Sequence, residues 1–309
     1  MAIDLSNHAH SLYTALNYAS YRKLMTTESL TNSVTDPSAS HLALPIIVQA
    51  DQLALRLDSP DLLIIAVCSQ AVFDAGHIPG SRLILPSELV CGIKPAVGKI
   101  PSENALTDLF SGTGLSDSSH VVVYDDEGGG WAGRLIWTLD VIGHKNYSYL
   151  DGGLIAWRDS HLAIETITSP AVACAYKAVI NSSLIVTLKQ IVEQISRDNV
   201  VVWDARAKEE YDGVKITALR NGHIPGAVNL DWLELMDTNN GLRLKPLEKI
   251  SKQLFDIGID ASKTVITHCQ THHRSGLTYL VGKALGLNIF AYDGSWSEWG
   301  NHPDTPIEP

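Results

Sequence analysis

The sequence predicts an α/β fold made of two tandem domains, each a parallel sheet flanked by helices. Three observations carry that prediction. The chain of 309 residues exceeds the usual size of one domain. Two motifs recur in the same order: Gly76-His77-Ile78-Pro79-Gly80 returns as Gly222-His223-Ile224-Pro225-Gly226, and Leu150-Asp151-Gly152-Gly153 with Trp157 returns as Tyr292-Asp293-Gly294-Ser295 with Trp299, the Asp-to-Trp spacing unchanged. In both halves short apolar runs alternate with helical stretches, as parallel sheets with crossover helices require.

Residues 1–41 are rich in Ser, Thr, Asn and His and read as a mobile tail with one helix around Ala9–Lys23. Domain one spans residues 42–164. It opens with Ile47-Val48 and a periodic stretch to Leu57, then the strands Leu62–Val67 and Val121–Tyr124. Residues 165–183, with Thr, Ser and Pro170, read as a linker. Domain two spans residues 184–309 and repeats the order, with Ile185-Val186, a stretch to Ile195, the strand Val200–Asp204 and a Pro-rich end at Pro303–Pro309. In the Gly-His-Ile-Pro-Gly segments Gly and Pro set backbone geometry, so these are structural turns.

Net charge is −11, which argues against nucleic acid and anionic membrane surfaces as partners and repels a free anionic substrate from the molecule as a whole. Local cations must overcome that at any anion site. The cysteines Cys68, Cys91, Cys174 and Cys269 form no C-x-x-C pair, so neither a metal site nor a disulfide framework is expected, and a reducing compartment suits them. The first residues lack a charged n-region and an apolar h-region, and no apolar run reaches membrane-span length. A cytoplasmic protein is the expectation.

The chemistry concentrates in residues 264–276, where the apolar strand Thr264–His268 runs into Cys269-Gln270-Thr271-His272-His273-Arg274-Ser275-Gly276, followed by a helical stretch from Leu277 to Leu285. A thiol placed there faces helix N-terminal amides and a guanidinium, and both favour the thiolate, the nucleophilic form. Most lone cysteines are buried structural thiols. Packing His268, His272, His273 and Arg274 around an inert one would desolvate polar groups for no gain. In domain one the equivalent strand ends in Asp125, and the loop Asp126–Arg134 is longer and acidic. It offers no sulfur and repels anions, so domain one is expected to be catalytically silent and to cover one wall of the domain-two site.

These residues resemble the rhodanese superfamily, specifically the tandem-domain thiosulfate sulfurtransferases, and the Cys269–Arg274 loop matches the bacterial type. The resemblance rests on the paired Gly-His-Ile-Pro-Gly motifs, that loop, and Asp293-Gly294-Ser295-Trp296 with Trp299-Gly300. It implies a monomeric enzyme whose Cys269 thiolate takes the outer sulfur of thiosulfate, or of another small sulfur donor, holds it as a covalent persulfide without a cofactor or metal, and passes it to cyanide, a thiol or a protein acceptor. It also implies that Asp204 and Arg206 brace the loop from beneath. The mammalian enzymes have an arginine where Glu210 stands and basic side chains at the positions of Gln270 and His273, so anion binding here rests on fewer cations.

The backbone amides of Gln270, Thr271, His272, His273, Arg274 and Ser275 are expected to cradle the outer sulfur. Arg274 is expected to bond loop carbonyls and present charge to the donor. His272 and His273 add charge when protonated, with at least one on a solvated rim, and His268 packs or hydrogen-bonds. Trp232 and Trp296 are candidates for an apolar cleft wall, with core packing the default for any Trp. The C-x4-R loop is one residue shorter than the C-x5-R loop of cysteine phosphatases sharing this fold, so its tighter ring suits one sulfur better than a phosphoryl group. The alternatives are a persulfide carrier, a 3-mercaptopyruvate sulfurtransferase, ranked lower because its loop is usually rich in small residues, a phosphatase, and a binding module without chemistry.

Overall fold

A computed structural model describes residues 44–167 and 173–309. The expected tail, its helix and Pro170 lie outside the described residues. In the first half the order is β1 (Ile47–Val48), α1 (Ala50–Ala54), β2 (Leu62–Val67), α2 (Gln70–Asp74), β3 (Arg82–Ile84), α3 (Glu103–Thr113), β4 (His120–Tyr124), α4 (Gly130–Val141), β5 (Tyr147–Leu150) and α5 (Gly153–Asp159). The second half runs α6 (Leu188–Gln194), β6 (Val200–Asp204), α7 (Lys208–Tyr211), β7 (Val228–Asn229), β8 (Met236–Asp237), β9 (Arg243–Leu244), α8 (Leu247–Asp256), β10 (Thr264–His268), α9 (Arg274–Ala284), β11 (Asn288–Ala291) and α10 (Ser295–Trp299).

The first sheet is parallel in the order β1-β5-β4-β2-β3. The second is parallel in the order β11-β10-β6-β7, and Ile185 bridges Ala291 in the place that β1 holds in the first. The two halves therefore share one topology. The central strands are near-continuous apolar runs because helices cover both faces of each sheet. In both sheets the chain order reverses at the centre, and the loops leaving β6 and β10 diverge there, opening the crevice where such sheets place their sites.

The recurring motifs close each domain in the same way. His77 and Glu165 exchange backbone hydrogen bonds, as do His223 and Glu308, and the His77 ring stacks on Phe73 while the His223 ring stacks on Tyr211. Trp157 donates its indole N–H to the Ala163 carbonyl, and Trp299 donates to that of Pro306. These are packing devices that close each domain.

The described residues of the segment 165–183 do not run free between the domains. Glu165 is bridged to His77, Cys174 and Ala178 donate backbone N–H groups to Ser111 and Thr107 of α3, and Ile180 donates to Glu103. The described part of the linker is thus laid along domain one, which satisfies its backbone groups.

The halves share one interior. A single buried cluster joins Leu135, Ile136 and Leu139 of α4 to Leu277, Leu280 and Val281 of α9, while the outer faces of the sheets keep separate cores. Here α4 and α9 touch backbone to backbone. A Cβ on Gly133 would lie 2.2 Å from the Gly276 carbonyl oxygen, and one on Gly276 would lie 2.4 Å from the Gly130 oxygen. Glycine is required by the closeness of the helices. Tyr279 also donates to Asp140 at 2.7 Å across this seam.

Candidate active site

Cys269 follows β10 at the centre of the second sheet and is only 1% exposed. Its carbonyl accepts the Trp296 amide at 2.9 Å, as the Asp125 carbonyl accepts that of Leu154 in domain one. Burial opposes ionisation of the thiol, but the Arg274 charge, the hydroxyl and amide of Ser275, and His273 outweigh it and hold its pKa below the ordinary value. Cys68 shows the opposite result: burial, aided by Asp126 and Asp125, pushes its thiol up to about 12. Of these two buried thiols, only Cys269 sits where its thiolate is favoured.

Domain one shows what the turn after the central strand can hold. Asp125 Oδ1 accepts the amides of Glu127, Gly128 and Gly129 at 3.2, 3.1 and 2.9 Å, and Oδ2 accepts that of Ala132 at 3.0 Å. The carboxylate fills its own amide ring, so this half has no vacancy for an external anion. In domain two the thiol of Cys269 stands at the same place.

Asp204 and Arg206, expected to brace the loop, pair with each other. Arg206 Nε lies 3.0 Å from both oxygens of Asp204, and its Nη2 donates to Asp204 Oδ2 at 2.6 Å and to the Gly222 carbonyl at 2.9 Å, with both side chains fully buried. The guanidinium lies 4.3 Å over the Trp296 ring. Trp296 is therefore buried between the brace and the loop, and does not form a cleft wall. Trp232 is half-buried beside the loop, its ring 5.7 Å from that of His273. His268 is buried, its Nδ1 3.1 Å from the Cys269 carbonyl and its Nε2 3.5 Å from Asp204, with burial pushing its pKa down against the pull of Asp204.

Several loop side chains are placed differently from expectation. Arg274 does not spend its fork on loop carbonyls: Nη1 and Nη2 donate to Glu210 at 2.6 and 2.9 Å, a bidentate pair with an acid only 3% exposed. Each holds the other charged. The Arg274 pKa is raised and that of Glu210 lowered, in both cases by the partner against burial. Gln270 turns away from the sulfur, accepting from the Thr217 hydroxyl at 2.8 Å and donating to its carbonyl at 2.9 Å. His272 is fully buried, not on a rim, and burial followed by the Arg134 charge drives its pKa well down, so it adds no positive charge at neutral pH.

Domain one covers the loop more closely than a wall. His273 pairs with Glu127 and stacks on Trp131 at 4.4 Å. The Trp137 ring meets His272 edge-on at 4.6 Å. Gly98 approaches Thr271 so closely that a Cβ would lie 2.1 Å from the Thr271 carbonyl oxygen. Ser275 is buried, its Oγ 2.7 Å from His272 Nδ1. The contributions of Glu127, Trp131, Arg134, Trp137 and Gly98 have no local signal in the sequence, since each acts only through the docked halves. No helix among the described residues is long and apolar enough to cross a membrane.

A family model described as the rhodanese-like domain matches residues 49–160 and again residues 187–302. The chain is 45% identical over 266 residues to a thiosulfate sulfurtransferase of Pseudomonas aeruginosa, covering 86% of this chain and 97% of that one. It is 44% identical over 270 residues to a thiosulfate sulfurtransferase of Azotobacter vinelandii, covering 86% and 98%. A 3-mercaptopyruvate sulfurtransferase of Escherichia coli is 28% identical over 276 residues, covering 85% and 97%. Among solved structures, an EanB variant in complex with ergothioneine superposes with a TM-score of 0.77 at 20% identity, covering 85% of this chain and 70% of that one, a likeness of fold. The chain belongs to the rhodanese-like family and carries two copies of its domain.

Proposed function

We propose that the protein is a thiosulfate sulfurtransferase that works through a persulfide on Cys269. The Cys269 thiolate attacks the outer sulfur of thiosulfate, the S–S bond of the donor breaks, and sulfite leaves with the electron pair. Cyanide or a thiolate then attacks the outer sulfur of the persulfide, and Cys269 departs as the thiolate. No cofactor or metal is needed, because the sulfur is held covalently and no net redox change falls on the protein. Loop amides and the N-terminal end of α9 stabilise the negative outer sulfur.

One observation carries this reading: a thiol 1% exposed whose pKa is nonetheless lowered, at the turn whose domain-one counterpart holds a carboxylate among its amides. Intact-mass measurement after thiosulfate treatment, with turnover followed in parallel, tests it. Wild type should gain one sulfur atom and Cys269→Ser should gain none and not turn over. Near wild-type turnover in the variant would move the carrier role to Cys68, Cys91 or Cys174 and overturn the assignment.

A second reading is favoured by the charge pairing around the loop. Arg274 is neutralised by Glu210 and His273 faces Glu127, so little uncompensated positive charge attracts a free dianion. A persulfide carrier that hands sulfur to a thiol or protein acceptor needs less such charge. The 3-mercaptopyruvate reading ranks lower, since Gln270-Thr271-His272-His273 is not a loop of small residues.

A further inference from the structure

Behind the loop lies a cluster of buried polar atoms that the sulfur-transfer reading does not use. Arg134, contributed by the silent domain, is fully buried. Its Nη2 donates to the Leu89 carbonyl at 2.7 Å, while Nε and Nη1 have no hydrogen-bond partner among the described residues. His272 Nε2 is likewise buried without a partner. Both groups pack on one residue: the guanidinium carbon and the imidazole each lie 4.6 Å from the Trp137 ring centre. Unsatisfied buried donors and an unsatisfied buried ring nitrogen are each costly, so their gathering around one indole asks for a match.

Proton counting on Ser275 supplies it. Ser275 Oγ carries one proton, lies 2.7 Å from His272 Nδ1, and stands near enough to Cys269 for its hydroxyl to help hold the thiol pKa down. If the proton points at the sulfur, His272 Nδ1 must be the N–H donor to Oγ, which leaves Nε2 as a bare acceptor. In the other tautomer the Ser275 proton turns to Nδ1 and away from the sulfur, and a second N–H is pushed toward the donors of Arg134. A positive charge with free N–H groups on the far side of the ring selects the first arrangement.

We propose that Arg134 of domain one is a positioning residue for the sulfur site: acting through His272, it fixes the tautomer that aims the Ser275 hydroxyl at the Cys269 sulfur. The Arg134 charge already lowers the His272 pKa across this gap, and a single buried water would join donor to acceptor. Domain one is then silent in bond making but sets the proton pattern of its neighbour. His272 holds a left-handed φ of 56°, which orients its ring toward α4.

This inference rests on Cys269 being the sulfur carrier, and its test is separate from sulfur transfer. In wild-type protein, 15N spectra of His272, identified by its loss in His272→Asn, should show Nδ1 protonated and Nε2 bare. An Nε2–H tautomer would overturn the proposal whatever the activity. The pH profile of Cys269 alkylation then reads the coupling. Arg134→Met should raise the apparent thiol pKa by about half to one unit, the worth of one hydrogen bond. In a His272→Asn background the same change should leave only a smaller shift, from the direct charge of Arg134 on Cys269, because Asn tolerates the left-handed backbone and its amide orients freely. Arg134→Lys should restore part of the effect by charge, and it carries the comparison if the Met variant does not fold. An equal shift in both backgrounds would mean that Arg134 acts by field alone. A shift in Trp137→Phe with none in Arg134→Met would assign the role to the indole N–H. Either result overturns the proposal, whereas loss of the persulfide in Cys269→Ser tests only the reading beneath it.

Discussion

Glu210 grips Arg274 by both ends of its guanidinium, at 2.6 and 2.9 Å, and so offsets part of the main positive charge beside the Cys269 thiol. The pair locks the loop to the segment after β6, but it weakens the charge that a dianionic donor would seek. Rigidity is gained at the expense of electrostatic attraction.

Replacing Glu210 with Gln should therefore improve thiosulfate binding. The amide still accepts from Arg274 but carries no charge. KM for thiosulfate should fall by about three- to ten-fold and become more sensitive to salt. Steady-state kinetics at two ionic strengths check this, and an unchanged KM would show that Arg274 does not reach the donor.

Arg274→Ala should cost stability as well as turnover, because it strands a buried carboxylate. A loss of about 3 kcal/mol or more is expected in urea unfolding, and the Cys269 thiol pKa should rise. Adding Glu210→Ala should recover much of the stability and little of the activity. Equal destabilisation in the single and double variants would place the cost elsewhere.

Acid should weaken the fold well above the carboxylate range. Burial pushes the pKa values of His120, His144, His268 and His272 below the ordinary 6.5. Below pH 6.5 the unfolded chain takes up protons that the folded chain refuses. The stability these groups contribute is whole above that pH and declines toward their depressed folded values. Asp125, raised to about 6 mainly by burial and next by Glu127, works in the opposite sense and already offsets part of this loss between pH 7 and 6. Between pH 7 and 6 the unfolding free energy should drop by about 1–3 kcal/mol. Urea midpoints across this window provide the measurement, and a flat profile would contradict neutral burial of these rings.

Gly276→Ala tests the seam between the halves. Its methyl would fall 2.4 Å from both the Arg134 amide nitrogen and the Gly130 carbonyl oxygen, so α4 and α9 must separate. A cost of about 1–3 kcal/mol is expected. Sulfur transfer should fall with it, since Trp137 and Glu127 hold the loop from the far side. Full activity at reduced stability would mean that the loop holds its shape without domain one.

Much of this was legible in contiguous segments. The repeated turns, the strand running into Cys269 and the C-x4-R spacing are local patterns, and they specify the fold, the family and the candidate nucleophile. The loop's side-chain partners were not legible in the same way. Arg274 reads as an anion-facing cation until Glu210, 64 residues away, is seen to pair with it, and His273 reads as a rim residue until Glu127, 146 residues away, closes on it. His272 has the ordinary charge of a histidine in any sequence-level account. Only burial beneath Trp137 and beside Arg134 makes it neutral.

Backbone hydrogen bonding and apolar periodicity act over a few residues, so they are written in residue order. That is why the two parallel sheets and the position of Cys269 at a strand end are readable without coordinates. Electrostatics and desolvation depend on distance in space and on what excludes water. The charge state of the loop was decided only when α4 docked on α9, through glycines that let the two backbones touch.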